Sequence, residues 1–147
     1  MMQLTKFKII NQKDKTNYKI MEVPSNMTLY KFAETIVKSF GFYFDHCFGF
    51  YDNLENPLKS KVIFELFTDL EDAEHTPNAK GVKRFYFVSD LFANNKKMLF
   101  LFDYGDSWYF TLELLDDSET IFKIPKNYYK IYEARGDDPE QYPPLDE

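Results

Sequence analysis

The spacing of hydrophobic and polar residues predicts a strand hairpin followed by a helix in the first part of the chain. Apolar residues alternate with lysines over Leu4–Ile10, which is the period of a half-buried strand. A polar, turn-rich segment separates this strand from a second one at Tyr18–Val23, so we expect the two to pair as a hairpin. Over Thr28–Phe40 the apolar residues recur at helical spacing, with Thr28 as the N-cap and Gly41 just beyond the last turn.

Weaker patterns predict short elements in the middle of the chain. Cys47–Tyr51 is typical of a strand, and Val62–Phe67 favours a strand but leaves a short helix open. The acids and turn residues of Leu70–Lys80 predict a surface loop. Arg84–Val88 is interpreted as a brief strand, and Ser89 as the cap of a helical turn after it.

The strongest strand patterns are those of Lys97–Tyr104 and Trp108–Leu115. Both faces of the first are apolar, which is typical of a central strand covered on both sides. Between them, Gly105–Asp106 predicts a short hairpin turn in which the glycine takes a left-handed conformation. Ile121–Ile124 is expected to add an edge strand.

This order of elements predicts an α+β fold. We expect a single compact domain in which a curled mixed sheet packs on one main helix, in a β-grasp-like arrangement. A chain of 147 residues has the length of one domain. The domain is expected to span residues 1–135, and the acidic, proline-rich residues 136–147 are expected to form a C-terminal arm packed on it.

The composition narrows the class of protein. Aromatic residues make up 19% of the chain, which indicates bulky, shape-specific packing and little disorder. The single cysteine, Cys47, cannot form a disulfide within the chain, and a buried thiol is its expected state. No stretch has the length of a signal-peptide core or a membrane span, so we expect a cytoplasmic protein without a membrane partner.

Charge is distributed unevenly along the chain. The formal net charge is −6, and the segment from Asp103 to the C-terminus holds twelve acidic and four basic residues. The first nineteen residues, by contrast, hold five lysines and one aspartate. The acidic end suits a protein partner with a basic surface and disfavours nucleic acid, although ordinary solubilising charge is the alternative interpretation.

Asp103 and Asp106 are the first candidates for a functional role. Two carboxylates held close together could bind a cation or share protons in acid–base chemistry. Aspartates beside a glycine also accept hydrogen bonds from turn amides, and no histidine lies near them in the sequence. We therefore favour a structural role, with Trp108 packed beside the turn, and keep these three residues as binding candidates.

The histidines offer little chemistry. Asp45 and His46 resemble half of a catalytic triad, but adjacent strand residues point to opposite faces, so Asp45 is expected to be poorly placed to orient His46. His46 is expected at the rim of the core, with ligand contact as the alternative, and His75 in a solvated loop. No dense ligand cluster and no cofactor or hydrolase motif is present, so neither a metal, a cofactor nor a catalytic residue is predicted.

Tyr142 is the binding candidate in the C-terminal arm. Together with Pro139 it gives the arm apolar anchors within an otherwise acidic segment. We expect these anchors to dock the arm on its own domain, and docking on a partner is the alternative.

Four segments of the sequence together carry a family resemblance. FDYGDSW at residues 102–108 matches the signature Y-D-[FY]-G-D-x-W except at its first position, where this chain has Phe102. The other segments are the helix start TL after Val23-Pro24, FDHCFGF at residues 44–50 and GDDPEQYP at residues 136–143. With them the chain resembles the plasmid pRiA ORF-three-like family, also labelled insertion-element passenger TnpR-like. The resemblance implies a compact α+β domain with a curled sheet and no demonstrated reaction. Many members carry a histidine two residues after the signature tryptophan, where this chain has Phe110.

Three functional hypotheses follow. The first is a non-catalytic cytosolic binding or accessory module. The second is a metal-dependent or acid–base hydrolase that uses the Asp103/Asp106 hairpin and His46. The third is a nucleic-acid accessory factor of a mobile element that uses the N-terminal lysines. The first is favoured because the sequence shows no recognisable catalytic motif.

Overall fold

The computed structural model describes residues 2–66, 79–82, 86–125 and 127–143. Two α-helices, α1 (Leu29–Ser39) and α2 (Val88–Leu91), and a short 3₁₀ helix at Pro57–Lys59 lie within these ranges. None of the described helices is both long and apolar enough to cross a membrane. The described strands are β1 (Met2–Asn11), β2 (Tyr18–Pro24), β3 (Phe48–Tyr51), β4 (Ile63–Glu65), β5 (Lys80–Gly81), β6 (Lys97–Phe102), β7 (Trp108–Thr120) and β8 (Lys130–Arg135).

The strands form one sheet in the order β5-β4-β3-β6-β7-β1-β2-β8. Strands β4 and β5 pair in parallel, and the other neighbouring pairs are antiparallel. The predicted α+β class with a mixed sheet and one main helix is thereby confirmed. Because β1 pairs with β7, the first strand of the chain lies beside a strand from the last third of the sequence.

Helix α1 forms where the spacing predicts it and covers one face of the sheet, which we call the inner face. The Thr28 hydroxyl accepts a hydrogen bond from the Lys31 amide at 3.3 Å, as an N-cap does. Gly41 follows the helix with a φ of 80°, a conformation that glycine adopts at little cost. The apolar side chains of α1 that are buried against the sheet are Leu29, Phe32, Ala33, Ile36 and Val37.

Aromatic rings fill the space between α1 and the inner face. Phe50, Phe100 and Phe110 are direct neighbours across β3, β6 and β7. The ring centroid of Phe100 lies 4.9 Å from that of Phe50 and 6.1 Å from that of Phe110. Phe32 of α1 stacks on Phe50 at 5.9 Å. These offset and tilted ring pairs add to the burial of apolar area, so this row forms the centre of the core.

The opposite, outer face of the sheet carries a smaller apolar cluster. Tyr51, Ile63, Leu99 and Leu101 form its buried part. Because β6 faces the main core on one side and this cluster on the other, both of its faces are apolar, as predicted. Strand β6 is therefore an interior strand of the fold.

A buried hydrogen-bonded group lies beside the outer cluster. The Tyr51 hydroxyl donates to Glu65, which is 1% exposed, and lies 2.7 Å from the Tyr104 hydroxyl. Burial raises the pKa of both Tyr51 and Tyr104, so both hydroxyls keep their protons. Gly49 leaves room for the two rings, because a Cβ there would lie 2.7 Å from the Tyr104 hydroxyl and 2.8 Å from the Tyr51 hydroxyl.

The predicted edge strand at Ile121–Ile124 is wrong. Strand β7 instead continues to Thr120, and residues 121–125 form no strand. The edge strand on this side is β8, which the sequence analysis missed. Most side chains of β8 are exposed, so its sequence lacks the alternation that reveals a strand with one buried face.

Two predictions in the middle of the chain are settled in part. The strand interpretation of Val62–Phe67 is confirmed over Ile63–Glu65, and Phe67 lies outside the described residues. Most of the predicted loop at Leu70–Lys80, including His75, also lies outside them. Its last residue, Lys80, belongs to β5, which pairs with β4.

The predicted strand at Arg84–Val88 is wrong at its end. Val88 begins helix α2, and Phe87 forms only an isolated bridge with Thr28. Residues 84–85 lie outside the described residues. Ser89 does not cap the helical turn. The Asp90 carboxylate accepts a hydrogen bond from the Phe87 amide at 2.7 Å instead, and so satisfies an amide at the start of the helix.

Candidate functional site

The turn between β6 and β7 is longer than the sequence predicted. It spans residues 103–107, and its left-handed residues are Asp103, with a φ of 62°, and Ser107, with a φ of 55°. The prediction of a left-handed Gly105 is therefore wrong. Aspartate tolerates this conformation because its side chain can bond nearby amides. The Asp103 amide donates to the Cys47 carbonyl at 2.9 Å and ties the turn to the start of β3.

The Asp103 carboxylate has two roles in this turn. Asp103 is 4% exposed. Its Oδ1 accepts hydrogen bonds from the amides of Gly105 at 3.1 Å and Asp106 at 3.2 Å. Its Oδ2 lies 3.4 Å from the Nε2 atom of His46. One oxygen therefore holds the turn, and the other contributes to a surface site.

His46 lies at the centre of that site. Its Nε2 atom is 2.7 Å from the Tyr142 hydroxyl and 3.7 Å from the Asp45 carboxylate. The expectation that Asp45 and His46 point apart is wrong, because residues 42–46 form no strand. The His46 side chain is 42% exposed, and its ring lies edge-on to the buried ring of Phe102 at 6.2 Å, so His46 lies at the rim of the core, as predicted.

The C-terminal arm completes the site. Gln141 is buried, and its amide group bonds both backbone groups of Tyr43: the oxygen accepts at 2.7 Å and the nitrogen donates at 3.1 Å. The same nitrogen donates to Asp45 at 3.2 Å, and the Tyr142 hydroxyl donates to the other Asp45 oxygen at 2.8 Å. Gln141 thus positions Tyr142 against His46. We call Asp45, His46, Asp103, Gln141 and Tyr142 the arm site.

The start of the arm is held by the turn between β1 and β2. Gly136 has a φ of 74°, and a Cβ there would lie 2.7 Å from the Thr16 carbonyl oxygen. Asn17 donates to the Arg135 carbonyl at 3.3 Å, and Lys19 forms a 3.0 Å ion pair with Asp138. Residues 136–142 therefore contact the folded chain at both ends of the segment.

Asp106 and Trp108 support the hairpin. The Asp106 carbonyl accepts a hydrogen bond from Lys13 at 3.1 Å, and the same ammonium lies 3.7 Å from the centre of the Trp108 ring. Trp108 packs against Phe42 at 4.8 Å. Among the described residues, Asp103 lies within 4.0 Å of His46 and Asp106 does not. Within the same residues, no group of three or more His, Cys, Asp or Glu is arranged to hold a metal ion.

The structure therefore brings together three of the five predicted candidates: His46, Asp103 and Tyr142. Sequence reasoning missed Asp45 as a member of the site, and it missed Gln141 altogether. The closing segment GDDPEQYP contains Gln141, so this motif was the available signal. It carried no indication that Gln141 would bond the backbone of Tyr43, which lies 98 positions earlier.

The N-terminal lysines are partly engaged within the molecule. The ammonium of Lys6 lies 4.0 Å from the centre of the Tyr132 ring, and that of Lys8 lies 4.1 Å from the centre of the Tyr18 ring. Such cation–π contacts stabilise the outer face of the sheet. Because both ammonium groups already contact aromatic rings, Lys6 and Lys8 do not form a strip of free lysines that could bind phosphates.

The fold and the arm site define the class: a small α+β protein whose C-terminal segment completes an acidic surface site. The chain belongs to the family of plasmid pRiA4b ORF-3-like proteins, whose family model matches residues 5–141. The resemblance found in the sequence is thereby confirmed. The description of the family does not include the TnpR-like label.

A solved structure shares the fold. The chain is similar to MM3350 from Methanosarcina mazei Go1, a protein of unknown function, with a TM-score of 0.70 and 15% sequence identity. The likeness covers 96% of this chain and 74% of that one. No curated protein matches the chain.

Replacing both turn aspartates, Asp103→Asn with Asp106→Asn, is expected to lower stability by about 1–2 kcal/mol, because the buried carboxylate accepts two amide hydrogen bonds. For a chain of this size the melting temperature should fall by about 2–8 °C. Asp106→Asn alone is the control and should change stability by less than about 0.5 kcal/mol, since Asp106 is exposed. Equal effects of the single and the double change would contradict the structural role of Asp103.

The Tyr142 hydroxyl is expected to ionise at a higher pH than an ordinary tyrosine. Loss of hydration and the hydrogen bond to Asp45 raise its pKa to about 12, above the ordinary tyrosine pKa of about 10. Because the folded pKa is the higher one, the contribution of Tyr142 to stability is complete below about pH 10 and is lost as the pH rises through about 12. In a spectrophotometric titration, Tyr142→Phe should remove one hydroxyl that ionises near pH 12. If Tyr142→Phe instead removes a hydroxyl that ionises near the ordinary tyrosine pKa of about 10, the geometry of the arm site is contradicted.

Proposed function

We propose that this protein is a non-catalytic cytosolic binding module that recognises a basic group of a protein partner at the arm site. One observation carries the proposal: the exposed Asp45 carboxylate lies beside His46 and Tyr142, and the buried Asp103 carboxylate lies 3.4 Å from the His46 Nε2 atom. An exposed carboxylate favours a cation, and a guanidinium can bond the two Asp45 oxygens as a pair, in addition to the hydrogen bonds that these oxygens accept from Gln141 and Tyr142.

The exposure of the residues suits a binding surface. The side chains of Asp45 and His46 are 43% and 42% exposed, whereas that of Asp103 is 6% exposed and rigidly held by the turn. A fixed carboxylate beside two accessible side chains lets a partner bind with little loss of side-chain freedom. The ring of Tyr142, 49% exposed, offers a face on which a guanidinium can stack.

The chemistry of the site favours binding over reaction. A hydrolase that forms a covalent intermediate requires an activated nucleophile next to a base, with a third group that orients the base. Here the raised pKa of Tyr142 keeps its hydroxyl protonated at neutral pH, which makes it a poor nucleophile. One oxygen of Asp103 is occupied by two turn amides, and Asp106 contributes its backbone to the hairpin.

We also propose that residues 136–147 act as an arm on a domain formed by residues 1–135. The contacts of Gly136, Asp138, Gln141 and Tyr142 with the rest of the chain support this division. In this proposal the arm has a functional role, because it supplies Tyr142 and aligns it with Asp45. Duplex DNA is not a partner in this proposal, since the arm site and the arm are acidic.

Nuclear magnetic resonance can locate the proposed interaction. The probe is a tetra-arginine peptide with both ends capped, titrated into ¹⁵N-labelled protein, and the control is a capped tetra-glutamate peptide. We expect the arginine peptide alone to shift the amides of Tyr43, Asp45, His46 and Tyr142. Two results would contradict the proposal. The first is that the amides of the exposed acidic residues of β7 shift as much as those of the arm site, and the second is that both peptides cause the same shifts.

A further inference from the structure

A groove lies on the outer face of the sheet, away from α1, with a volume of about 670 Å³. It shares no residue with the arm site. Its floor includes Ile10, Leu99 and Thr111, which are direct neighbours across β1, β6 and β7. The apolar side chains of Ile10 and Leu99 flank Thr111 in one row across the centre of the sheet, and we call the space above this row the outer groove.

A loop and a polar edge bound the outer groove. Leu54 and Pro57, in the segment between β3 and β4, form one wall. At the other side, Gln12 donates its side-chain amide to the Thr111 hydroxyl, and its backbone amide donates to the Tyr109 carbonyl at 2.9 Å. The groove is therefore built from the rigid centre of the sheet.

The rim of the outer groove carries charges of both signs. Lys97 and Glu113 are direct cross-strand partners on β6 and β7, and Lys15 and Glu55 also line the groove. Within the part of the chain that the structure describes, none of these four side chains forms an ion pair at 4.0 Å or less. Both an ammonium and a carboxylate group of a ligand could be paired here.

We propose that the outer groove binds a short peptide with apolar side chains and free termini. The volume falls in the range of about 300–1,000 Å³ typical of small-ligand sites. Strand β7 rises about 3.3 Å per residue, so the floor runs about 13 Å along it from Glu113, which faces Lys97, to Tyr109, whose carbonyl accepts from the Gln12 amide. An extended peptide of roughly three residues, including its terminal groups, fits this length. The apolar floor receives the side chains, and the lysines and glutamates of the rim receive the two termini. A ligand with a single charge would leave the rim charges of its own sign without a partner.

Calorimetric titration with trileucine tests the proposal, and Ile10→Trp is the variant that fills the groove. We expect Ile10→Trp to weaken binding by at least about tenfold. Ile20→Trp is the matched control, because Ile20 is also half-buried on the outer face but does not line the groove. It should leave the affinity within about twofold. Equal binding by both variants, or no binding of trileucine to the unaltered protein at millimolar concentration, would overturn the proposal.

The charged rim has its own test. Trileucine with an acetylated N-terminus and an amidated C-terminus should bind about tenfold more weakly than the free peptide. Replacing all four rim charges, by Lys15→Gln, Glu55→Gln, Lys97→Gln and Glu113→Gln together, should remove most of that difference, and these exposed or half-buried positions leave the core intact. Equal affinity for the capped and the free peptide would refute the assignment of the termini to the rim. This test keeps the proposal falsifiable if Ile10→Trp fails to fold.

Discussion

Replacing Phe100 by alanine is expected to lower the free energy of unfolding by about 3–5 kcal/mol. Phe100 is fully buried in β6 and contacts the rings of Phe48, Phe50 and Phe110 at 4.9–6.1 Å between centroids. The change removes a large apolar surface and leaves a cavity that the rigid centre of the sheet cannot close. Chemical denaturation monitored by circular dichroism measures the loss.

Phe122→Ala is the matched control for this prediction. The same ring is removed, but Phe122 is 75% exposed. The control should change the free energy of unfolding by less than about 0.5 kcal/mol. Comparable losses at both positions would contradict the assignment of the core to the inner face of the sheet.

Gly136→Ala is expected to release the C-terminal arm from the arm site. A methyl group at this position would meet the backbone of Thr16 and Asn17 at 2.7–2.8 Å, and backbone atoms cannot turn away as a side chain can. The left-handed φ of 74° adds strain of about 1–2 kcal/mol for a residue with a Cβ. The measurement is hydrogen exchange at the Tyr43 amide, which donates to Gln141 and should lose its protection.

Gly41→Ala is the control that distinguishes backbone strain from the close contact at Gly136. Gly41 also has a left-handed φ, of 80°, but a Cβ there would have nothing within 4 Å. This control should cost about 1–2 kcal/mol in stability and leave the Tyr43 amide protected. If both variants expose that amide to the same degree, the close approach at Gly136 does not hold the arm.

The helix and the central strands could be predicted because their signals are local. Helix α1 has apolar residues at helical spacing and a threonine cap, and β6 and β7 combine apolar runs with a turn between them. Strand β8 could not be found in this way. Its position at the edge leaves its side chains exposed, so its pairing with β2 leaves no pattern in its residues.

The arm site was predictable only in part, for a different physical reason. The affinity of a turn aspartate for nearby amides is a local property, and it correctly indicated the structural role of Asp103. The contacts of Asp45 and Gln141 join positions almost a hundred residues apart, and no local preference encodes them. Residues 42–46 form no strand, so Asp45 and His46 can lie on the same side of the chain. The sequence of this segment is rich in apolar residues and does not show that a strand is absent.

The central proposal is that the arm site binds a basic group. Calorimetric titration of the capped tetra-arginine peptide into the unaltered protein, Asp45→Asn and Asp116→Asn tests it most directly, because both variants lose one exposed carboxylate and only Asp45 lies in the arm site. The account predicts binding that is weakened at least about fivefold by Asp45→Asn and left unchanged by Asp116→Asn. Equal weakening by both variants, or no binding by the unaltered protein, would contradict it.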